Sequence, residues 1–133
     1  MKVKICGIRT FEEALEVIEA GADMIGFNFY PPSPRYITPG NCMRLVLRLE
    51  TALREEMADV LLVGVFVNAT PRFIHSVFRD CHLEMIQLSG DEPPEVLEEL
   101  GDRRLDCRVI HGAFLNLRRR AIKPPPRSIR GAG

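Results

Sequence analysis

No stretch of this 133-residue sequence approaches the roughly 20 apolar residues needed to cross a bilayer, and its N-terminus lacks the long apolar run and cleavage site of a signal peptide. Those two absences predict a cytoplasmic protein with no membrane partner. The four cysteines, Cys6, Cys42, Cys81 and Cys107, form no C-x-x-C pair and no Cys/His cluster. Neither a disulfide framework nor a zinc site is therefore expected, and reduced thiols are. No G-x-G-x-x-G turn follows the first apolar segment, nor does any other glycine loop suited to cradling a phosphate. Beyond Phe114 there is no acidic residue and no aromatic.

What remains is a chain of 46% hydrophobic and 27% charged residues, enough for one globular domain with one buried core. Its zero net charge is unevenly spread. All 18 acids precede Phe114, while Arg118, Arg119, Arg120, Lys123, Arg127 and Arg130 follow it and leave the body acidic by six charges. With Pro124, Pro125 and Pro126 among those cations, residues 114–133 read as a disordered basic tail on a folded unit of residues 1–113.

Within residues 1–100, β-branched apolar segments alternate with segments of helical period, as in repeated βα units around a parallel sheet. Strands are expected at residues 2–8, 23–30, 60–67 and 85–88, with a fifth at 106–110. Helices are expected after Thr10, Thr38 and Thr70 and from about Pro93 to Leu100, the second running on to about Met57. Thr10 with Glu13 forms a T-x-x-E capping box, and Thr38-Pro39 and Thr70-Pro71 pair a cap with a proline at the first helical position. Four βα units and a fifth strand make a little over half of an eight-stranded barrel, which typically takes ~250 residues. An open five-stranded sheet is the alternative architecture.

The first strand, Lys2-Val3-Lys4-Ile5-Cys6-Gly7-Ile8, is expected to carry Val3 and Ile5 inward and to end where Gly7 lets the backbone turn. The Cys6 thiol then sits at the C-terminal mouth, the face on which barrel enzymes keep their chemistry. The second strand runs into a loop stiffened by Pro31, Pro32 and Pro34 that presents Arg35. Guanidinium binds a planar carboxylate through two parallel hydrogen bonds, and a stiff loop loses little entropy in doing so. Asn28, Gln87 and Asp91 lie at or just after strand ends, where they line the mouth or serve as turn and cap residues. His75, His82 and His111 have no catalytic or metal-ligand spacing, and Cys42, Cys81 and Cys107 read as buried small apolar residues. Phe66, Phe73 and Phe78 read as helix-to-sheet packing.

The segments K-V-K-I-C-G-I-R-T (residues 2–10), A-G-A-D-M-I-G-F-N-F-Y-P-P-S-P-R-Y-I (20–37), V-G-V-F-V-N (63–68) and I-Q-L-S-G-D-E (86–92) occur in an order and at distances that resemble phosphoribosylanthranilate isomerase of tryptophan biosynthesis. The resemblance covers the chain to about residue 110. It implies a single-domain (β/α)₈ TIM barrel, cytosolic and without a cofactor. The implied reaction is the Amadori rearrangement of N-(5-phosphoribosyl)anthranilate to 1-(2-carboxyphenylamino)-1-deoxyribulose 5-phosphate. A general acid protonates the ring oxygen, and a general base takes the C2 proton to give an enol that ketonises.

By the same resemblance Cys6 holds the place of the base, and Arg35 that of the arginine pairing with the anthranilate carboxylate. The amides of the glycine turn and a nearby cation are the features expected to favour a thiolate there. The family's acid is an aspartate ending strand six, and its phosphate site follows strands seven and eight. This sequence offers no counterpart to either, and it has Ser89 where the family usually has histidine. The expectation is a truncated or frame-shifted isomerase with little or no turnover alone. Two other readings stand beside it: a half-barrel that associates through its exposed sheet edges, and a module whose basic tail binds nucleic acid by phosphate neutralisation. The acidic body and the lack of tail aromatics oppose the second, so no nucleic-acid partner is expected.

Overall fold

Three threonines start three of the helices, each by the same local chemistry. Thr10, Thr38 and Thr70 are extended, and their hydroxyl oxygens accept from the backbone N–H groups of Glu13, Asn41 and Phe73 at 3.1, 3.1 and 3.2 Å. Pro39 and Pro71 occupy the position where no intrahelical donor is needed. In the computed structural model, which describes residues 2–102 and 108–111, the strands are β1 (Lys4–Cys6), β2 (Met24–Asn28), β3 (Leu61–Phe66), β4 (Met85–Leu88) and β5 (Arg108–His111). The helices are α1 (Phe11–Glu19), α2 (Pro39–Ala52), α3 (Arg54–Met57), α4 (Pro71–Asp80) and α5 (Pro94–Asp102).

The sheet order is β1-β2-β3-β4-β5, every neighbouring pair parallel. An order that never reverses has no switch point of the doubly wound kind. It is the arc of a (β/α) barrel, which decides between the two architectures expected from the sequence. The predicted helix running to Met57 breaks at Leu53, whose φ of −127° and ψ of 55° are not helical. The expected tail, residues 114–133, lies outside the described residues, as does Cys107. Among the described residues no helix is long and apolar enough to cross a membrane.

Alternation sorts the strand residues onto two faces. Ile25, Phe27, Phe29, Leu62, Phe66, Ile86 and Leu88 pack with Ala14 and Ile18 of α1, Cys42, Leu45, Val46 and Leu49 of α2, and Ile74 and Val77 of α4 in one core. Burying each large member contributes about 1.5–3 kcal/mol. Phe66 stacks on Phe29 with centroids 5.2 Å apart and meets the edge of Phe73, as the packing role expected of it requires. The other face, carrying Lys4, Cys6, Met24, Gly26, Asn28, Val63, Val65, Met85 and Gln87, is the concave side.

One expectation for β1 is overturned. Val3 and Ile5 do not point inward: they are 43% and 37% exposed and line an open groove of about 290 Å³ with Glu16, Val17, Ala20, Gly21 and Ala22. Ile5 is the register partner of Ile25, a helix-side residue. The period of two therefore sends Lys4 and Cys6 to the concave face. The strand is also shorter than expected, three residues against seven.

Candidate active site

The site is built from the two loops that follow β1 and β2. Cys6 ends β1 opposite Gly26, and it is exposed. Gly7 follows at a φ of +87°, a backbone conformation L side chains rarely adopt, and turns the chain sharply. Its N–H and that of Ile8 both donate to the carbonyl of Gly26, at 3.0 and 3.1 Å. The turn amides are thus spent on the sheet and do not face the thiol, contrary to the sequence expectation. The polar neighbour of Cys6 is instead Lys4, whose side chain lies with it over Gly26. Burial pulls the Lys4 ammonium below its ordinary pKa, and the neighbouring Cys6 acts against that.

Arg35 reaches the same turn from the loop after β2. Its Nε and Nη2 both donate to the Gly7 carbonyl, at 2.9 and 2.6 Å, and Nη2 also donates to Glu13 Oε2 at 3.1 Å. Glu13 is fixed in turn by the Arg9 N–H, which donates to its Oε1 at 2.8 Å. That backbone bond first, and Arg35 after it, hold the Glu13 carboxyl below the usual carboxylate range. The reach-back of the expected capping box is therefore directed to Arg9, with Thr10 receiving the Glu13 N–H. Nη1 of Arg35 makes no hydrogen bond among the described residues; because Nε and Nη2 are both engaged, the two-bond fork expected for a carboxylate is occupied by Gly7 and Glu13. The loop is held by Asn28, whose side-chain oxygen accepts from Tyr30 N–H at 2.8 Å and whose carbonyl accepts from Ile37 N–H at 2.9 Å.

Asn28 and Gln87 share a register row through Val65 on the concave face, one step nearer the mouth than Cys6, Gly26 and Val63. Gln87 is 4% exposed, and its Nε2 donates to Ser89 Oγ at 2.9 Å. Its Oε1 is buried without a hydrogen-bond partner among the described residues. Asp91 is exposed in the loop after β4 and is tied by its backbone N–H to Asn68 Oδ1 at 2.9 Å. Asn68 adopts a φ of +51°. Buried Glu92 accepts from the N–H groups of Asn68 and Gly90, at 2.8 and 3.0 Å, and so laces the loops after β3 and β4 together.

The structure thus brings Cys6 and Arg35 to one turn, and sets Asn28 and Gln87 on the adjoining row. Asp91 sits on the rim. Sequence reasoning missed Lys4, Glu13 as the partner of Arg35, and the Asn68–Glu92 clasp. Cys42 and Cys81 are fully buried in the helix layer, where the Cys81 thiol donates to the Pro39 carbonyl at 3.5 Å and the neighbouring Cys81 together with burial pushes the Cys42 thiol pKa up. No group of three His, Cys, Asp or Glu residues among the described residues is arranged to hold a metal ion.

Comparison with known proteins agrees with the fold. The sequence model of N-(5'-phosphoribosyl)anthranilate isomerase matches residues 3–118. The isomerase of Citrifermentans bemidjiense is 46% identical over 112 residues, covering 84% of this chain and 51% of that protein. The isomerase of Geobacter sulfurreducens is 40% identical over 103 residues, 77% of this chain and 47% of its own length. A crystal structure of phosphoribosylanthranilate isomerase bound to reduced 1-(o-carboxyphenylamino)-1-deoxyribulose 5-phosphate superposes with a TM-score of 0.72 at 40% identity, covering 84% of this chain and 52% of that one. The enzyme of Thermus thermophilus gives a TM-score of 0.69 at 36% identity, covering 84% and 50%. The chain spans about half the length of the relatives it matches.

Proposed function

This chain belongs to the N-(5'-phosphoribosyl)anthranilate isomerase family, and from that membership we propose that it carries the base and carboxylate-anchor half of a cytoplasmic isomerase site. In this reading the substrate is N-(5-phosphoribosyl)anthranilate and the reaction its Amadori rearrangement. Arg35 pairs with the anthranilate carboxylate through Nη1. Cys6 takes the C2 proton once the ribose ring has opened, and the resulting enol ketonises. Asn28 and Gln87 lie where they can meet ribose hydroxyls, and Asp91 stands at the rim. The observation that carries the reading is the seating of Arg35 on the carbonyl of Gly7, the residue next to Cys6. One rigid turn then fixes both the anchor and the base.

Because the chain spans about half of its relatives, the proposal for the 133-residue chain alone is ligand recognition with little or no turnover. Loss of one acid or base already costs about 10²–10⁴ in rate. The test is a fluorescence titration with reduced 1-(o-carboxyphenylamino)-1-deoxyribulose 5-phosphate. Saturable binding is expected, weakened at least tenfold in Arg35→Ala and preserved in Cys6→Ser. Absence of saturable binding removes the reading. A turnover rate near that of a complete barrel removes its second part.

The exposed Val3 and Ile5 favour a second reading, a half-barrel that self-associates or takes a partner through the β1 edge. Gel filtration then shows a defined dimer in place of a monomer.

A further inference from the structure

The concave side of β1 places Lys4 two residues before Cys6, and the two side chains share one small space. Its floor is Gly26, the register partner of Cys6. A Cβ on Gly26 would stand 3.0 Å from Cys6 Sγ and 3.4 Å from Lys4 Cε, so both side chains lie over the one bare Cα. Lys4 is half-buried there, and Cys6 beside it opposes the fall that burial causes in the ammonium's pKa. The neighbouring turn amides are engaged elsewhere: the N–H groups of Gly7 and Ile8 go to the Gly26 carbonyl, and Nε and Nη2 of Arg35 go to Gly7 and Glu13.

We propose that Lys4 is the positioning residue for the base, its ammonium seated over Gly26 and holding the Cys6 sulfur in place as an anion. The inference rests on the reading of Cys6 as base and supplies what that reading lacked, a source for the thiolate. A cation beside the sulfur and partly withdrawn from water favours a thiolate over a thiol. In the proposed step the C2 proton passes to Sγ, the C2–H electron pair becomes the C1=C2 double bond of the enol, and the C1=N pair of the ring-opened imine moves onto the anthranilate nitrogen. The ammonium keeps its own protons throughout, so Lys4 acts through Cys6 and not on the substrate. Gly26 belongs to the device because any side chain there enters the space the pair occupies.

The test uses the full chain and does not need turnover. Iodoacetamide is applied at neutral pH, the rate of alkylation at Cys6 is read by peptide mass spectrometry, and the ultraviolet thiolate absorbance is taken as the difference from Cys6→Ser. Lys4→Met keeps the stem and removes the charge. It is expected to slow Cys6 alkylation about tenfold, the change that one pK unit makes in thiolate fraction, and to remove the difference absorbance. Lys4→Arg, which restores a cation, is expected to recover most of the rate.

A folded Lys4→Met chain that reacts as fast as wild type and keeps the absorbance overturns the proposal. So does a folded Lys4→Arg chain as slow as Lys4→Met. Should Lys4→Met fail to fold, Gly26→Ala takes its place: its methyl group is expected to part the pair and slow the reaction, and an unchanged rate overturns the proposal. Thiol reactivity and ligand titration fail separately. Loss of ligand binding with an intact Lys4 effect removes the isomerase reading alone.

Discussion

The guanidinium of Arg35 lies against the carbonyl of Gly7, with Nε and Nη2 both donating to the one oxygen at 2.9 and 2.6 Å. A residue 28 positions away in sequence thereby becomes the lid of the turn that follows Cys6. The contact needs a glycine twice over. A Cβ at position 7 would lie 3.1 Å from Arg35 Nε and 3.2 Å from its Cγ, and the φ of +87° is strained for any L side chain. Gly7→Ala is therefore expected to cost about 1–2 kcal/mol from the left-handed conformation alone. It should also shift Arg35 and weaken binding of the reduced product analogue. Denaturant unfolding and the fluorescence titration read the two effects separately.

Arg35→Lys tests whether the fork matters or only the charge. An ammonium cannot grip the Gly7 carbonyl, meet Glu13 and still offer a planar edge to a carboxylate. Hydrogen bonds to charged groups contribute about 1.5–3 kcal/mol, so affinity for the analogue is expected to fall roughly tenfold to a hundredfold. Unchanged affinity in Arg35→Lys would show that a point charge suffices.

Much of this was legible in the sequence where the cause is local. The threonine caps, Pro39 and Pro71, and the strand at Met85–Leu88 are set by residues within a few positions of one another, and each formed where expected. The facing of β1 departs from its pattern because Val3 and Ile5, its apolar residues, lie on the helix side of an edge strand and stay exposed. In an arc of parallel strands the helix layer takes the apolar row, while the row that lines the mouth is free to be polar. Lys4 and Cys6 belong to that polar row. The Glu13–Arg35 and Asn68–Glu92 contacts span 22 and 24 residues, and no spacing rule announces them.

Glu13 makes the pH dependence specific. Its carboxyl is held below the ordinary range by the Arg9 N–H first and by Arg35 after it, so the folded state binds this proton less readily than the unfolded chain. A depressed carboxyl contributes stability above its unfolded pKa of about 4.3, and the contribution is lost as pH falls through the lower, folded value. Glu13→Gln is expected to be less stable than wild type at neutral pH. The difference should close as pH falls below about 4.3. Unfolding midpoints at a series of pH values check it; a difference independent of pH would assign the effect of Glu13 to packing.

The helix layer is tightest at Gly64. A Cβ there would come within 2.5 Å of Leu83 Cδ1 and 2.9 Å of Phe66, beside Phe29 at 3.3 Å, and the two aromatic rings are stacked on each other. Room can come only by moving rings that the whole layer packs against. Gly64→Ala is expected to destabilise by about 1–3 kcal/mol, as overpacked cores do. Ligand affinity, measured on the folded fraction, should hold, because Gly64 faces away from the concave side.

Gln87 separates stability from recognition most sharply. Its Nε2 is satisfied by Ser89 at 2.9 Å, but its Oε1 is buried on the concave face with no partner among the described residues. An unpaired buried acceptor costs about 1–3 kcal/mol, which a side chain kept only for folding has no reason to carry. Gln87→Leu removes the orphan at similar volume, although it also leaves the Ser89 hydroxyl without its donor. Folding stability is therefore expected to stay level or rise, while affinity for the reduced product analogue falls. A variant that loses stability and keeps affinity would place Gln87 in the framework of the fold and outside the site.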